Sequence, residues 1–206
     1  MTDIVFTAAV RTGFGTFGGT LRDFTATDLG VIAATAALDR SGLPRELVDH
    51  AIVGNAMQTS SDAMYGARHV ALRSGMALAT PAVTVNRLCG SGFEAVVQGA
   101  HRLLLGEAQA VLAGGTESMS QAPHVMRNAR WGIKYGVSPV LEDSLFVGLR
   151  DPHGACTMAE TAENLADRHG VSRADAEAFA ARSQQAAAAA WEAGVFADEV
   201  IPVTIR

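Results

Sequence analysis

The 206 residues are 49% hydrophobic and 18% charged, enough apolar surface to bury about 70% of the unfolded area, which excludes disorder. Their 16 basic and 21 acidic residues give a net charge of −5 and argue against nucleic acid, since phosphate binding needs clustered cations. No apolar run approaches about 18 residues, so no membrane partner is expected.

Residues 3–10 read as a buried opening strand, followed by a glycine-rich stretch from Gly13 to Gly19. Apolar spacing predicts a helix from about Thr27 to Arg40, ended by Gly42-Leu-Pro44. A helical turn at 44–49 leads into a strand over 50–57. The pattern repeats with a helix at about 65–73, a strand at 82–86, a helix from about Cys89 to Leu105, and a strand at 109–113 before Gly114-Gly115. Four strands separated by helical segments predict an α/β fold with a mainly parallel central sheet and right-handed crossovers.

From Thr116 to about Gly154 the periodicity fails, and an irregular stretch this long points to a binding or interface role. Helix returns over 157–169 and, with Ser172 as N-cap and Asp175 at N3, from Arg173 to about Ala193. Residues 199–206 read as an edge strand, because Pro202 lacks a backbone donor. The positive mean hydropathy of +0.17 hints that some apolar surface meets a partner. Met1-Thr-Asp-Ile-Val-Phe carries no basic leader, and the two cysteines form no disulfide framework; both features suggest a cytoplasmic, reducing location.

Gly13-Phe-Gly15-Thr-Phe-Gly18 matches GxGxxG after a strand, but a dinucleotide site needs the glycines to lead directly into a helix. Gly19-Thr-Leu-Arg-Asp-Phe intervenes here, and the second strand ends in Gly54-Asn-Ala-Met57 with no acid for a ribose, so the run reads as a structural loop. Cys89 sits between a strand and a helix, where unsatisfied N–H groups and the positive helix end favour a nucleophilic thiolate. Gly90 and Gly92 leave room for a bulky thioester; the alternative is a cysteine acting as a small hydrophobe. Cys156 reads as a packing residue, since no second spaced pair accompanies His153 and Cys156 to make a metal site. His50, His69 and His101 read as structural, while His124 and His153 bracket the irregular region and are free to line a site. Glu117, in Gly114-Gly-Thr-Glu-Ser-Met-Ser120, lies at a strand's carboxyl end and is a candidate for ordering the loop of Cys89.

Several of these segments together resemble the thiolase family, comprising acetyl-CoA acetyltransferases and 3-ketoacyl-CoA thiolases. They are Asn86-Arg-Leu-Cys89-Gly-Ser-Gly-Phe-Glu-Ala, Ala113-Gly-Gly-Thr-Glu-Ser-Met-Ser120, Thr161-Ala-Glu-Asn164, Val10-Arg-Thr, Val53-Gly-Asn55, Ala129-Arg-Trp-Gly-Ile-Lys134 and Phe196-Ala-Asp-Glu-Val-Ile-Pro-Val203. The resemblance implies a layered α/β domain with an inserted loop domain. Residues 1–115 would be the first part of the N-terminal α/β domain, 116–194 the start of the loop domain, and 195–206 a terminal strand. It also implies ping-pong acyl transfer between CoA thioesters, with Cys89 as the acyl-accepting nucleophile and Met158 beside the acyl and pantetheine groups. Acetyl-CoA or acyl-CoA and CoA are then the substrates, with no separate cofactor and no metal, and the complete enzyme would be a homodimer or homotetramer.

The sequence departs from the family pattern at Gly13, where proline is usual, and at Thr157-Met-Ala-Glu160, where a His-Met-Gly run is common. These 206 residues also contain no Gly-His-Pro segment and no Cys-x-Gly-Gly segment, the family's activating histidine and second cysteine. The resemblance therefore implies a partner C-terminal half. The remaining alternatives are a non-catalytic CoA-binding or assembly subunit and, on the glycine loop alone, a nucleotide-dependent oxidoreductase.

Overall fold

The computed structural model describes residues 3–205, so Met1 and Thr2 of the leader argument and Arg206 of the terminal strand lie outside the described residues. The chain forms two compact units, one running up to Ala122 and resuming at Glu199, the other spanning Pro123–Asp198.

In the first unit, β1 (Arg11–Thr12) is followed by α1 (Ala26–Ser41), β2 (His50–Gly54), α2 (Gly66–Arg73), β3 (Ala82–Val85), α3 (Ser91–Leu104) and β4 (Val111–Gly115). The central sheet has the order β3-β2-β4 and is parallel throughout. Side chains of β2 alternate between its two faces, as pleating requires. Ala51 and Val53 pack with Ala34, Leu38, Ala67, Val70 and Ala71 of α1 and α2, whereas Ile52 packs with Val85 and with Ala95 of α3. Helices thus cover both faces, the arrangement that lets a parallel sheet bury its strands.

Local chemistry fixes the helix ends. The hydroxyl of Thr25 accepts from the Asp28 N–H at 3.0 Å, and the Asp28 carboxylate accepts from the Thr25 N–H at 3.2 Å, closing a capping box on α1. Gly42, in the left-handed region at φ 69°, ends the helix. Asp28 also pairs with Arg73 of α2 at 2.6 Å. Burial opposes ionisation of Asp28, but hydrogen bonds from Arg73 and Thr25 and the attraction of the guanidinium outweigh it, so its pKa is lowered. A carboxylate with a lowered folded pKa stabilises the fold above its unfolded pKa and loses that contribution as the pH falls through the folded value. Asp28→Asn should therefore cost roughly 0.5–1 kcal/mol at neutral pH. Denaturation curves of the two proteins should converge as the pH falls through the folded-state pKa of Asp28, where both side chains become uncharged.

Strand limits depart from the sequence expectations: the terminal strand expected over 199–206 is confined to Val200–Ile201, where pairing with residues 11–12 ends. Residues 3–10 form no strand: Val5 and Phe6 are 74% and 76% exposed, and pairing begins only at Arg11, whose N–H donates to the Glu199 carbonyl at 2.8 Å. An extended apolar run becomes a strand only beside a partner, and among the described residues none lies along it. The pair formed is β1 with the terminal β9 (Val200–Ile201), parallel and separate from the central sheet. The strand expected over 109–113 is shifted to Val111–Gly115, because Gln109 gives its N–H to the Asp49 carboxylate at 2.9 Å.

The second unit contains the short strands β5 (His124–Val125), β6 (Glu142–Asp143), β7 (Arg150–Asp151) and β8 (Cys156–Thr157), and helices α4 (Ser144–Gly148), α5 (Met158–His169) and α6 (Arg173–Glu192). Antiparallel pairs β5–β6 and β7–β8 give the irregular stretch its order. Capping boxes of Thr157 with Glu160 and of Ser172 with Asp175 start the two long helices, neither of which contains a buried residue.

Much apolar surface stays open. The chain exposes 14236 Å², against roughly 9,000 Å² for a self-contained chain of this mass. On α3, Ala95 and Gly99 face the sheet, while Phe93, Val97 and Leu104 face outward at 82%, 47% and 57% exposure.

Candidate active site

The three central strands end in register at Gly54, Val85 and Gly115, and the loops leaving those carboxyl ends form the rim where α/β folds place their chemistry. From β3 the chain passes through Asn86-Arg-Leu-Cys89-Gly90 into α3. The Gly90 N–H donates to the Arg87 carbonyl and the Ser91 N–H to the Leu88 carbonyl, each at 3.0 Å. The Ser91 hydroxyl donates to the Leu88 carbonyl at 2.6 Å and accepts from the Arg87 N–H at 2.8 Å. These bonds hold Leu88 at φ 48°, a left-handed conformation that is strained for leucine. The tight turn leaves Cys89 as an exposed free thiol one residue ahead of the helix N-cap, Gly90.

Two glycines allow α3 to begin so close to the sheet. A Cβ on Gly54 would stand 2.5 Å from the Ser91 carbonyl carbon and oxygen and 2.8 Å from the Gly92 nitrogen. A Cβ on Gly115 would stand 3.1 Å from the Gly92 Cα. The first turn of α3 thus rests directly on the ends of β2 and β4. The Gly92 and Phe93 N–H groups meet no acceptor among the described residues, leaving the positive end of the helix uncapped beside the thiol. Nearby, Arg87 is engaged by Glu94 at 2.7 Å. Hydrogen bonds from Gln98 and Arg87 hold the Glu94 carboxyl below its ordinary range. The fixed helix end is therefore the unneutralised positive field at this turn.

Glu117 anchors the loop leaving β2. Its Oε1 accepts from Asn55 Nδ2 at 2.9 Å, and its Oε2 accepts from the Ala56 N–H at 2.8 Å and the Met57 N–H at 3.2 Å. Asn55 Nδ2 also donates to the Thr116 carbonyl at 2.8 Å. This turning of residues 55–57 toward Glu117 is why β2 ends at Gly54, three residues short of the expected Met57.

Other candidates stand elsewhere. Met158 opens α5 in the second unit and is half exposed, so the two predicted site residues belong to different units. Cys156 lies 3.4 Å from the Thr161 hydroxyl and packs beside it. In the first unit no histidine is bonded to Cys89: His69 contacts Asp62 at 3.3 Å and stacks on Tyr65, His50 opens β2 at the end remote from Gly54, and His101 lies near the far end of α3. His124 and His153 are exposed in the second unit, on β5 and between β7 and β8. The Gly13–Gly18 loop leads to turns rather than directly into α1, whose Asp28 N–H is taken by the Thr25 hydroxyl, so the glycines do not open onto a helix start as a dinucleotide site requires. Sequence reasoning missed Gly54 as a contact glycine and Asn55 and Asn86 as loop anchors. The one available signal was a Gly-Asn pair directly after an apolar strand.

Residues 4–206 match the family described as thiolase, N-terminal domain. The chain is 53% identical over 199 residues to the mitochondrial 3-ketoacyl-CoA thiolase of Homo sapiens, covering 97% of this chain and 50% of that protein. The crystal structure of that human enzyme in complex with CoA superposes with a TM-score of 0.95 at 53% identity over 97% of this chain and 50% of that one. The crystal structure of the Bacillus anthracis acetyl-CoA acetyltransferase gives 0.93 at 36% identity over 98% and 51%. The chain thus spans about half the length of the relatives it matches. The cytoplasmic location expected from the sequence is corrected here: the human relative and its counterparts in Rattus norvegicus, Pongo abelii, Mus musculus and Bos taurus are mitochondrial enzymes. The first six residues were a weak guide, because they speak only to one class of address.

Proposed function

Because the chain belongs to the thiolase family, over that family's N-terminal domain, we propose that it supplies the nucleophile for acyl transfer between CoA thioesters. The Cys89 thiolate attacks the thioester carbonyl carbon, forming a new C–S bond and a tetrahedral oxyanion. Collapse of that intermediate breaks the bond to CoA sulfur, and CoA leaves as the thiol after taking a proton. In condensation the acyl-cysteine then passes its acetyl group to the α-carbon of a second acetyl-CoA, which gives up an α-proton, and acetoacetyl-CoA leaves as the Cys89 thiolate is regenerated. In thiolysis the thiolate instead attacks the 3-keto carbon of a 3-ketoacyl-CoA, the Cα–Cβ bond breaks, and the leaving α-carbon takes a proton to give acetyl-CoA. The acyl group then passes from Cys89 to a CoA thiol as that thiol loses its proton. Free N–H groups at the start of α3 contribute positive potential near the oxyanion, the kind of preorganised field that is worth several kcal/mol in acyl transfer. Met158 is proposed to contact the acyl and pantetheine region, and the complete enzyme to be a homodimer or homotetramer.

The observation carrying this reading is an exposed thiol, raised on a strained turn, at the uncapped start of a helix seated on two glycines. Prolonged incubation with acetyl-CoA, followed by peptide mapping, should find the acetyl group on Cys89, with the Cys89→Ala chain unlabelled at any site. Labelling of Cys156 ahead of Cys89 would overturn the assignment.

A further inference from the structure

Between Glu117 and the turn that carries Cys89 runs an unbroken line of polarised amides. The Met57 N–H, which donates to Glu117 Oε2 at 3.2 Å, belongs to the same peptide group as the Ala56 carbonyl. That carbonyl accepts from Asn86 Nδ2 at 3.0 Å. The other end of the Asn86 amide, Oδ1, accepts from the Leu88 N–H at 2.9 Å. A carboxylate at one end thus pulls on two amides in series, and each amide that donates becomes a better acceptor at its opposite end. The line ends on the one residue of the turn held at positive φ, immediately before the thiol.

We infer that Glu117 is a positioning residue for Cys89, acting through the Ala56–Met57 peptide and the Asn86 amide to hold Leu88 in its left-handed conformation. The inference rests on the proposed role of Cys89, but the relay itself stands on the geometry alone. Three features favour a relay over ordinary loop packing. The carboxylate gathers three N–H donors, two of them backbone groups of consecutive residues, which orients that peptide rather than merely contacting it. Asn86 uses both ends of its amide, one toward each loop, so neither end can turn away without losing a bond. Leu88 needs a force to hold it, since a branched side chain in the left-handed region costs free energy in isolation. Asn86 and Leu88 are exposed, so water competes for both bonds, and a strengthened acceptor adds to the Gly90 and Ser91 bonds in keeping the turn.

The test compares the 206-residue chain with its Glu117→Gln and Asn86→Ala variants and with the double variant. Glutamine keeps the shape of Glu117 but removes the charge and turns an NH2 group toward backbone donors. Hydrogen exchange at the Leu88 amide should quicken about tenfold in either single variant, the size of one charge-assisted hydrogen bond. Alkylation of Cys89 by iodoacetamide, followed by mass spectrometry, should slow by a similar factor across the pH profile, while Cys156 reacts at an unchanged rate. The double variant should behave like the slower single variant, because both substitutions cut the same line. Where Asn86→Ala lowers the melting temperature too far to measure, Asn86→Asp keeps the acceptor for Leu88 and loses only the donor to Ala56. Unchanged Leu88 exchange in Glu117→Gln, or effects on Cys89 that multiply to about a hundredfold in the double variant, would overturn the relay. A wild-type Cys89 no faster than a simple thiol would instead overturn its role as nucleophile, while the exchange measurement still decides the relay.

Discussion

Given acetoacetyl-CoA and CoA, the 206-residue chain by itself is expected to turn over at least about ten-thousandfold more slowly than the human mitochondrial 3-ketoacyl-CoA thiolase assayed beside it. The positive end of α3 attracts an anion at Cys89 but supplies no proton acceptor. Thiolysis needs a base to ionise the attacking thiol and an acid to protonate the leaving carbanion; condensation needs the same groups in reverse. One positioned acid or base contributes typically about 10²–10⁴ in rate, so the absence of two leaves little turnover. The candidates in the first unit are occupied or distant: His69 is held by Asp62, and His50 and His101 stand at remote ends of their elements. No Gly-His-Pro and no Cys-x-Gly-Gly occurs in these residues. Slow acylation of Cys89 without turnover is the expected pattern. A steady rate within tenfold of the human enzyme would show that this chain carries its own acid–base pair.

Helix ends were legible in the sequence where a cap fixes them. Gly42 and Ser172 with Asp175 place the end of α1 and the start of α6 within a residue of expectation, because capping chemistry is complete within four or five positions. Strand limits were not so legible. Residues 3–10 have the composition of a buried strand, yet strand formation depends on a neighbour that local sequence does not encode, and pairing begins only at Arg11. β2 stops at Gly54 because Glu117, more than sixty positions away, takes the N–H groups of Ala56 and Met57. The position of Cys89 was readable from a strand, a cysteine between glycine-permissive neighbours, and an amphipathic helix. Its supports were not: Gly54 looks like any strand-end glycine until α3 is placed on it, and Asn86 looks like a loop residue until Ala56 comes within reach.

Replacing Gly54 with alanine is expected to be among the most damaging single-methyl changes the first unit can undergo. The new Cβ would lie 2.5 Å from the Ser91 carbonyl carbon and oxygen, and these are backbone atoms that cannot rotate aside. Relief requires α3 to move away from the sheet by several tenths of an ångström. That shift is resisted along the helix, where Ala95 is fully buried against Ile52 and a Cβ on Gly99 would already stand 3.2 Å from Val111 Cγ1. Overpacking of this kind costs about 1–3 kcal/mol and occasionally more; a clash with backbone belongs at the upper end, about 3 kcal/mol. Against a typical total stability of about 5–15 kcal/mol, the urea midpoint should fall visibly. The same shift carries Cys89 with it, and a displacement near 1 Å can cost about a hundredfold in a positioned reaction, so alkylation of the thiol should change more than stability alone explains. Gly114, on neighbouring β4, is the internal control: a Cβ there meets nothing within 4 Å, and Gly114→Ala should stay within about 0.5 kcal/mol of the parent. Gly115→Ala should fall between them, since its Cβ would approach the Gly92 Cα at 3.1 Å and the Gly54 carbonyl oxygen at 3.3 Å. Equal midpoints for the Gly54 and Gly114 variants would mean that α3 is not seated on the end of β2, and the geometry assigned to the thiol would fail with it.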